Sequence, residues 1–275
     1  MTSPSGFEDT LQPFQEINQG INMIMYGING VGKTPVLATS PDCVILNADP
    51  GGVNSAAASG ASGKFVNITS WEQMEEAEDF FTNHRNASKY KWVWLDSGPL
   101  FQDIGLENIM VDLIKPQSAG GSGKSHRQVY RPDKGEYGEN MNRLKLFVRH
   151  MCGLPINFGI TSYPVEIEDD EGDMIYKPWF QGRGMIGLIC GMVDIIGYLK
   201  IEEVKNEPHQ VLYTKTRGRY YARDRYMALP SAMLDPTIPK IEALVKAKVS
   251  GTNRTSKTTA KRPAKRVAKR AAATR

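Results

Sequence analysis

An apolar run, Ile21-Asn22-Met23-Ile24-Met25-Tyr26, leads directly into Gly27-Ile28-Asn29-Gly30-Val31-Gly32-Lys33-Thr34. The octet reads G-x-x-x-x-G-K-T, and its residue types suit one chemistry. Glycines let consecutive backbone N–H groups turn inward around an anion, at a helix N-terminus whose dipole also favours negative charge. Lys33 is spaced to reach β- and γ-phosphates, and Thr34 carries a hydroxyl suited to Mg²⁺. The pattern predicts a phosphate-binding loop over residues 27–34, with a nucleoside triphosphate and Mg²⁺ as its ligands.

Two carboxylates extend this chemistry. Asp96 ends the apolar run Trp92-Val93-Trp94-Leu95, where an aspartate would hold Mg²⁺ directly or through water. An aspartate capping the following helix would look the same. Asp49 follows Cys43-Val44-Ile45-Leu46-Asn47-Ala48, the first strand after the loop's helix, where a carboxylate would orient an attacking water. Asp49-Pro50-Gly51-Gly52 is equally a favoured turn sequence.

The basic residues fall into two groups. Lys124, Arg127 and Arg131, with Tyr130 among them, offer phosphate neutralisation and one surface for base stacking; a solvated loop would read alike. From residue 250 to 275 there are nine Lys or Arg and no acid, and removing them from the chain's +4 leaves residues 1–249 at −5. Within that stretch Lys261-Arg262, Lys265-Arg266 and Lys269-Arg270 repeat every fourth residue. Such pairs predict non-specific, salt-sensitive affinity for nucleic acid phosphates, against the plainer role of a solubilising tail.

These groups must be held by a scaffold. Apolar strands are predicted at 21–26, 43–46, 92–95, 156–160, 193–201 and 211–216, alternating with helices over 71–84, 104–113 and 141–151. Alternation of this kind predicts an α/β fold, a mainly parallel sheet flanked by helices, with ligand at the carboxyl ends of the strands. Residues 1–20 read as a leader, 21–249 as the folded domain and 250–275 as a disordered tail. Residues 115–138 break all periodicity, and 164–184 read as an irregular, hairpin-like stretch. The apolar stretch 185–199 is too short to span a bilayer and carries Asp194, so no membrane partner is expected. Cys43, Cys152 and Cys190 are far apart, which predicts buried free thiols in a reducing cytoplasm. No signal peptide is expected from residues 1–20.

The succession of phosphate loop, acidic strand end, apolar run closing in Asp96-Ser97 and glycine-rich basic loop resembles the RecA-like ATPase core. It is most similar to the small RecA-like recombinases of bacteriophages, the Sak-type single-strand annealing proteins, over about residues 20–230. The resemblance implies that Asp49 stands for the family's catalytic glutamate, with a shorter side chain, and that Lys33 acts in catalysis. It also implies that loops 115–138 and 164–184 hold single-stranded DNA. Arg223-Asp224-Arg225 resembles the K-x-R arginine-finger motif, which would place Arg223 and Arg225 on a neighbouring subunit's γ-phosphate in a ring or filament; a solvated arginine pair is the plain alternative. Ser162 matches the position of the nucleotide-sensing polar residue.

The resulting expectation is a DNA-stimulated, Mg²⁺-dependent ATPase that self-assembles on single-stranded DNA and promotes annealing or strand exchange in phage recombination or repair. It would work in the host cytoplasm beside a single-strand-binding protein. A ring-forming helicase or loader, and an annealing module that binds ATP and hardly hydrolyses it, are the alternatives. A small-molecule kinase would share the loop but not the basic segments.

Overall fold

The computed structural model describes residues 20–49, 51–114, 131–169 and 171–258. Strand β1 (Asn22–Tyr26) enters the loop and helix α1 (Lys33–Leu37), followed by β2 (Cys43–Asn47), α2 (Gly52–Ala58) and β3 (Lys64–Asn67). Helices α3 (Trp71–Thr82) and α4 (His84–Ala87) precede β4 (Trp92–Asp96) and α5 (Gly98–Ile114). Helix α6 (Lys134–Gly153) leads to β5 (Asn157–Ser162), the hairpin β6 (Pro164–Glu168) and β7 (Met174–Pro178), and α7 (Arg183–Met192). The chain closes with β8 (Ile195–Val204), β9 (Glu207–Tyr213), β10 (Arg223–Asp224), β11 (Ala232–Leu234) and α8 (Ile238–Thr258).

The main sheet runs β11-β9-β8-β1-β5-β4-β2-β3, with β10 paired to β8. From β8 to β3 every neighbour is parallel; β9, β10 and β11 add antiparallel pairs at the other side. This is the mainly parallel, helix-flanked α/β fold that the alternating elements predict. Central strands are buried on both faces, as a parallel sheet covered by helices requires. Side chains alternate accordingly. Ile24, Tyr26, Val93 and Leu95 join the core under α3, α6 and α7, whereas Met23, Met25, Trp92 and Trp94 join the core under α1 and α8.

The tryptophans fix the second face. Their rings stack at 5.1 Å, Trp92 Nε1 donates to Glu242 on α8, and Trp94 Nε1 donates to Ser40 Oγ at 2.8 Å. Gly159 on β5 lies so close to Trp94 that an added Cβ would sit 2.2 Å from its ring. Only glycine allows that ring between the layers.

Several expectations shift. Helix α6 opens at Lys134, inside the stretch expected to lack periodicity, because Asp133 and Glu136 form a capping box around its first turn. Helix α8 runs to Thr258, past the expected start of the tail. Strand β3 appears where none was read: Lys64-Phe65-Val66-Asn67 is an edge strand exposed along its whole length, so it lacks the apolar pattern of a buried one. The stretch at 164–178 is a regular two-stranded hairpin. All three cysteines are buried and free. Among the described residues no helix is long and apolar enough to cross a membrane.

Candidate active site

Strand order decides what the loop faces. Strand β5 lies between β1 and β4, so the strands carrying the phosphate loop and Asp96 stand two inter-strand spacings apart, roughly 10 Å. That gap is bridged from the loop side. Thr34, the second residue of α1, donates its hydroxyl to Asp96 Oδ2 at 2.8 Å, and Thr161 of β5 donates to Asp96 Oδ1. Both carboxylate oxygens are thereby held. Burial raises the Asp96 pKa, against the two threonine hydrogen bonds and the nearby Lys33 ammonium, which lower it.

The loop itself turns through Gly30 and Gly32, with φ of 78° and 91°, the left-handed region that glycine occupies without strain. Lys33 is buried, and its Nζ donates to Gly27 O at 2.8 Å and Ile28 O at 3.1 Å. The ammonium also lies 5.2 Å above the Tyr163 ring, within cation–π range. Desolvation lowers the Lys33 pKa, opposed by the charges of Asp96 and Asp49. In this state the lysine closes its own loop. A phosphate would offer it stronger, charge-assisted partners than two carbonyls.

Asp49 stands two residues beyond β2, across the cavity from the loop. Gly51 N donates to its Oδ1 at 2.9 Å and Gly52 N to its carbonyl at 3.0 Å, an Asx turn of the kind its sequence favours. Asn47 Nδ2 supports the same turn, donating to Asp49 O at 2.8 Å. Gly30, Gly32, Lys33, Thr34, Asp49, Asp96, Ser97 and Tyr163 line a cavity of about 560 Å³, a volume typical of ligand sites. Ile28 and Asn29 form the exposed lip of the loop.

Mg²⁺ fits this donor set. Thr34 and Asp96 present a hydroxyl and a carboxylate at a helix N-terminus, all oxygen, which suits a hard cation that keeps several waters. Asn47 Oδ1 adds a buried acceptor with no hydrogen-bond partner among the described residues. Its position is close to Asp96, since a Cβ built on Gly52 would meet Asn47 Oδ1 at 3.1 Å and Asp96 Oδ2 at 3.6 Å.

Other sequence candidates sit elsewhere. Ser162 is fully buried and donates to Trp179 O at 2.7 Å; it tethers the base of the hairpin, and Tyr163 lines the cavity instead. Arg223 and Arg225 lie toward the amino ends of the strands, where β10 pairs with Ile195 and Ile196 at the start of β8. Arg223 donates to the carbonyls of Cys190 and Val193, the latter at 2.8 Å, and Arg225 donates to Gly191 O at 2.5 Å. Both guanidinium groups thus cap the C-terminus of α7. Arg131 is exposed just ahead of α6. Lys124, Arg127, Tyr130 and the basic pairs Lys261-Arg262, Lys265-Arg266 and Lys269-Arg270 lie outside the described residues. Sequence reasoning missed Thr161, Tyr163 and Asn47. Each is a polar residue at a strand end, and only the sheet order shows which of them face Asp96.

Among solved structures, the chain is similar to a KaiC-like protein from Pyrococcus horikoshii (12% identity, TM-score 0.37, covering 74% of this chain and 84% of that one). It is also similar to the flagellar accessory protein FlaH from Methanocaldococcus jannaschii (9%, 0.38, 80% and 88%) and to the RadB recombinase (11%, 0.39, 73% and 83%). No curated protein matches it. The family profile described as an AAA domain matches residues 19–226, a span that takes in the phosphate loop, Asp96 and the strand between them, and the chain belongs to that family.

Proposed function

We propose that this protein is a Mg²⁺-dependent ATPase that assembles on single-stranded DNA and promotes annealing or strand exchange, in the manner of the phage RecA-like recombinases its sequence resembles. The observation that carries the ATPase reading is the Thr34–Asp96 hydrogen bond at 2.8 Å. It joins the end of the phosphate loop to a buried carboxylate across an interposed strand, at the mouth of a cavity that Asp49 faces from the other side. In this reading the loop amides and Lys33 bind the phosphates, and Thr34 and Asp96 hold the cation. Asp49 Oδ2 orients the attacking water and accepts its proton. Mg²⁺, when bound, neutralises charge on the phosphates.

Support for the DNA part is electrostatic. The segment between α5 and α6 carries Lys124, Arg127 and Arg131 with Tyr130, cations that would neutralise phosphates beside one ring for base stacking. The hairpin is a poorer candidate at its tip, where Glu168, Asp169, Glu171 and Asp173 would repel phosphate. Along the hairpin Lys177 and Arg219 lie over Tyr221 and Tyr176, a pairing of cations with aromatic rings that suits single strands. Self-assembly is supported by the open edge strand β3, whose Phe65 and Val66 are exposed.

The test is phosphate release with and without single-stranded DNA, with imaging of the assembly. Stimulation together with filaments or rings is the expected result; forked-duplex unwinding would instead favour a helicase or loader. One observation favours a second reading, an annealing module that binds ATP and hardly hydrolyses it: Asp49 is short, and its Oδ1 is already engaged by Gly51 N. Annealing without DNA-stimulated phosphate release would select that reading. For the tail, removing residues 259–275 is expected to flatten the salt dependence of DNA binding, because fewer phosphates are neutralised. Identical slopes for the two proteins would exclude the tail from the interface.

A further inference from the structure

Lys33 holds the phosphate loop from the cavity side, and a second side chain holds it from behind. Gln210, half-buried on β9, donates from Nε2 to Val31 O at 2.8 Å and lies 3.4 Å from Gly32 O. The chemistry assigns the nitrogen to this position, since an amide oxygen there would face two carbonyl oxygens. Gln210 is fixed in turn by its backbone, whose carbonyl accepts Asp235 N at 2.7 Å. The approach is close: a Cβ on Gly32 would sit 2.1 Å from Gln210 Nε2, a second reason for glycine there besides its φ of 91°.

The consequence concerns the direction of the loop's peptide planes. An anion is bound only if consecutive N–H groups point inward, which sends the intervening carbonyls outward. Gln210 receives two of those carbonyls at the turn into α1. Lys33 cannot do this once phosphates draw it away from Gly27 O and Ile28 O, whereas Gln210 lies outside the cavity and its bonds persist. We infer that Gln210 is a positioning residue for phosphate binding, acting from β9 on the backbone of Val31 and Gly32. The inference rests on the nucleotide-binding reading of this loop.

Gln210→Met keeps the length and removes the donor, and Gln210→Glu sets oxygen against the carbonyls. Binding of fluorescent ATP, ADP and AMP to the full chain is the readout, with thermal melting as the control. Loss of two hydrogen bonds is expected to weaken ATP and ADP about tenfold in Gln210→Met, and more in Gln210→Glu. AMP, lacking the β-phosphate, should change less than twofold, and KM for ATP should rise with kcat altered less than threefold. Unchanged ATP affinity in a folded Gln210→Met or Gln210→Glu protein would overturn the inference, as would equal weakening of AMP. Failure of the unmodified protein to bind ATP at all would instead remove the nucleotide reading on which the inference rests.

Discussion

Charged side chains meet a helix terminus at each end of this sheet, with opposite results. At the carboxyl ends of β1 and β4, Lys33, Thr34 and Asp96 surround the N-terminus of α1 and face an open cavity. Near the amino end of β8, Arg223 and Arg225 surround the C-terminus of α7 and direct their donors to the carbonyls of Cys190, Gly191 and Val193. Cations at a helix C-terminus complement its dipole, so the second arrangement stabilises the fold. Arg223 Nε remains buried without a hydrogen-bond partner among the described residues, yet it is sealed from solvent. A charged motif becomes a site where its groups border a space another molecule can enter.

Substitutions at both places sharpen the contrast. The largest effect is expected for Lys33→Ala, which should reduce ATP affinity about 100-fold, as the loss of a charge-assisted bond implies. Equilibrium binding of a fluorescent analogue measures it, and an unchanged affinity would dissolve the distinction between the two ends. Asp96→Asn comes next. Cation affinity, followed by Mn²⁺ resonance in the presence of nucleotide, should drop about 30-fold, in the range seen when groups that orient or hold a metal are lost.

A pH dependence follows from the same carboxyl. Burial raises its pKa, so the folded protein holds that proton to higher pH than the unfolded chain does. Without cation, Asp96 contributes stability that is fully present below the ordinary carboxylate pKa and is lost as pH rises through its raised value. Asp96→Asn removes that loss, and its melting temperature at neutral pH without Mg²⁺ should exceed that of the unmodified protein. Cation binding should run the other way and strengthen as pH climbs through the same range.

At the opposite end the expected effects are on folding. Arg223→Ala removes a half-buried cap and should cost about 2 kcal/mol of stability in thermal or denaturant unfolding. A DNA-stimulated ATPase rate that falls by about a thousandfold with the melting temperature intact would instead mark an arginine finger acting on a neighbouring subunit. Arg225→Ala should be the mildest, below about 1 kcal/mol, because its side chain is 46% exposed and its pairing with Asp194 spans 3.7 Å.

Much of this was legible in the chain itself. The strands β1, β2 and β4 are almost continuous apolar runs because helices cover both faces of a parallel sheet, and such runs are conspicuous. The phosphate loop was equally plain, since glycine, lysine and threonine at that spacing answer a local need for positive φ, an anion partner and a hydroxyl. Strand β3 was not, because an exposed edge carries no burial pattern. The start of helix α6 is hidden in the sequence because the Asp133–Glu136 capping box sits in a glycine-containing stretch that reads as loop.

The octet at residues 27–34 carries its own glycines, lysine and hydroxyl, so its expected role could be read from local chemistry. The partners of that cradle could not. Thr161 reaches Asp96 and Tyr163 reaches Lys33 because β5 is inserted between β1 and β4, and Gln210 reaches Val31 because β9 doubles back along β8. Those adjacencies join residues more than sixty positions apart. They follow from which strands pair, a choice made by the packing of both sheet faces rather than by any local run of sequence.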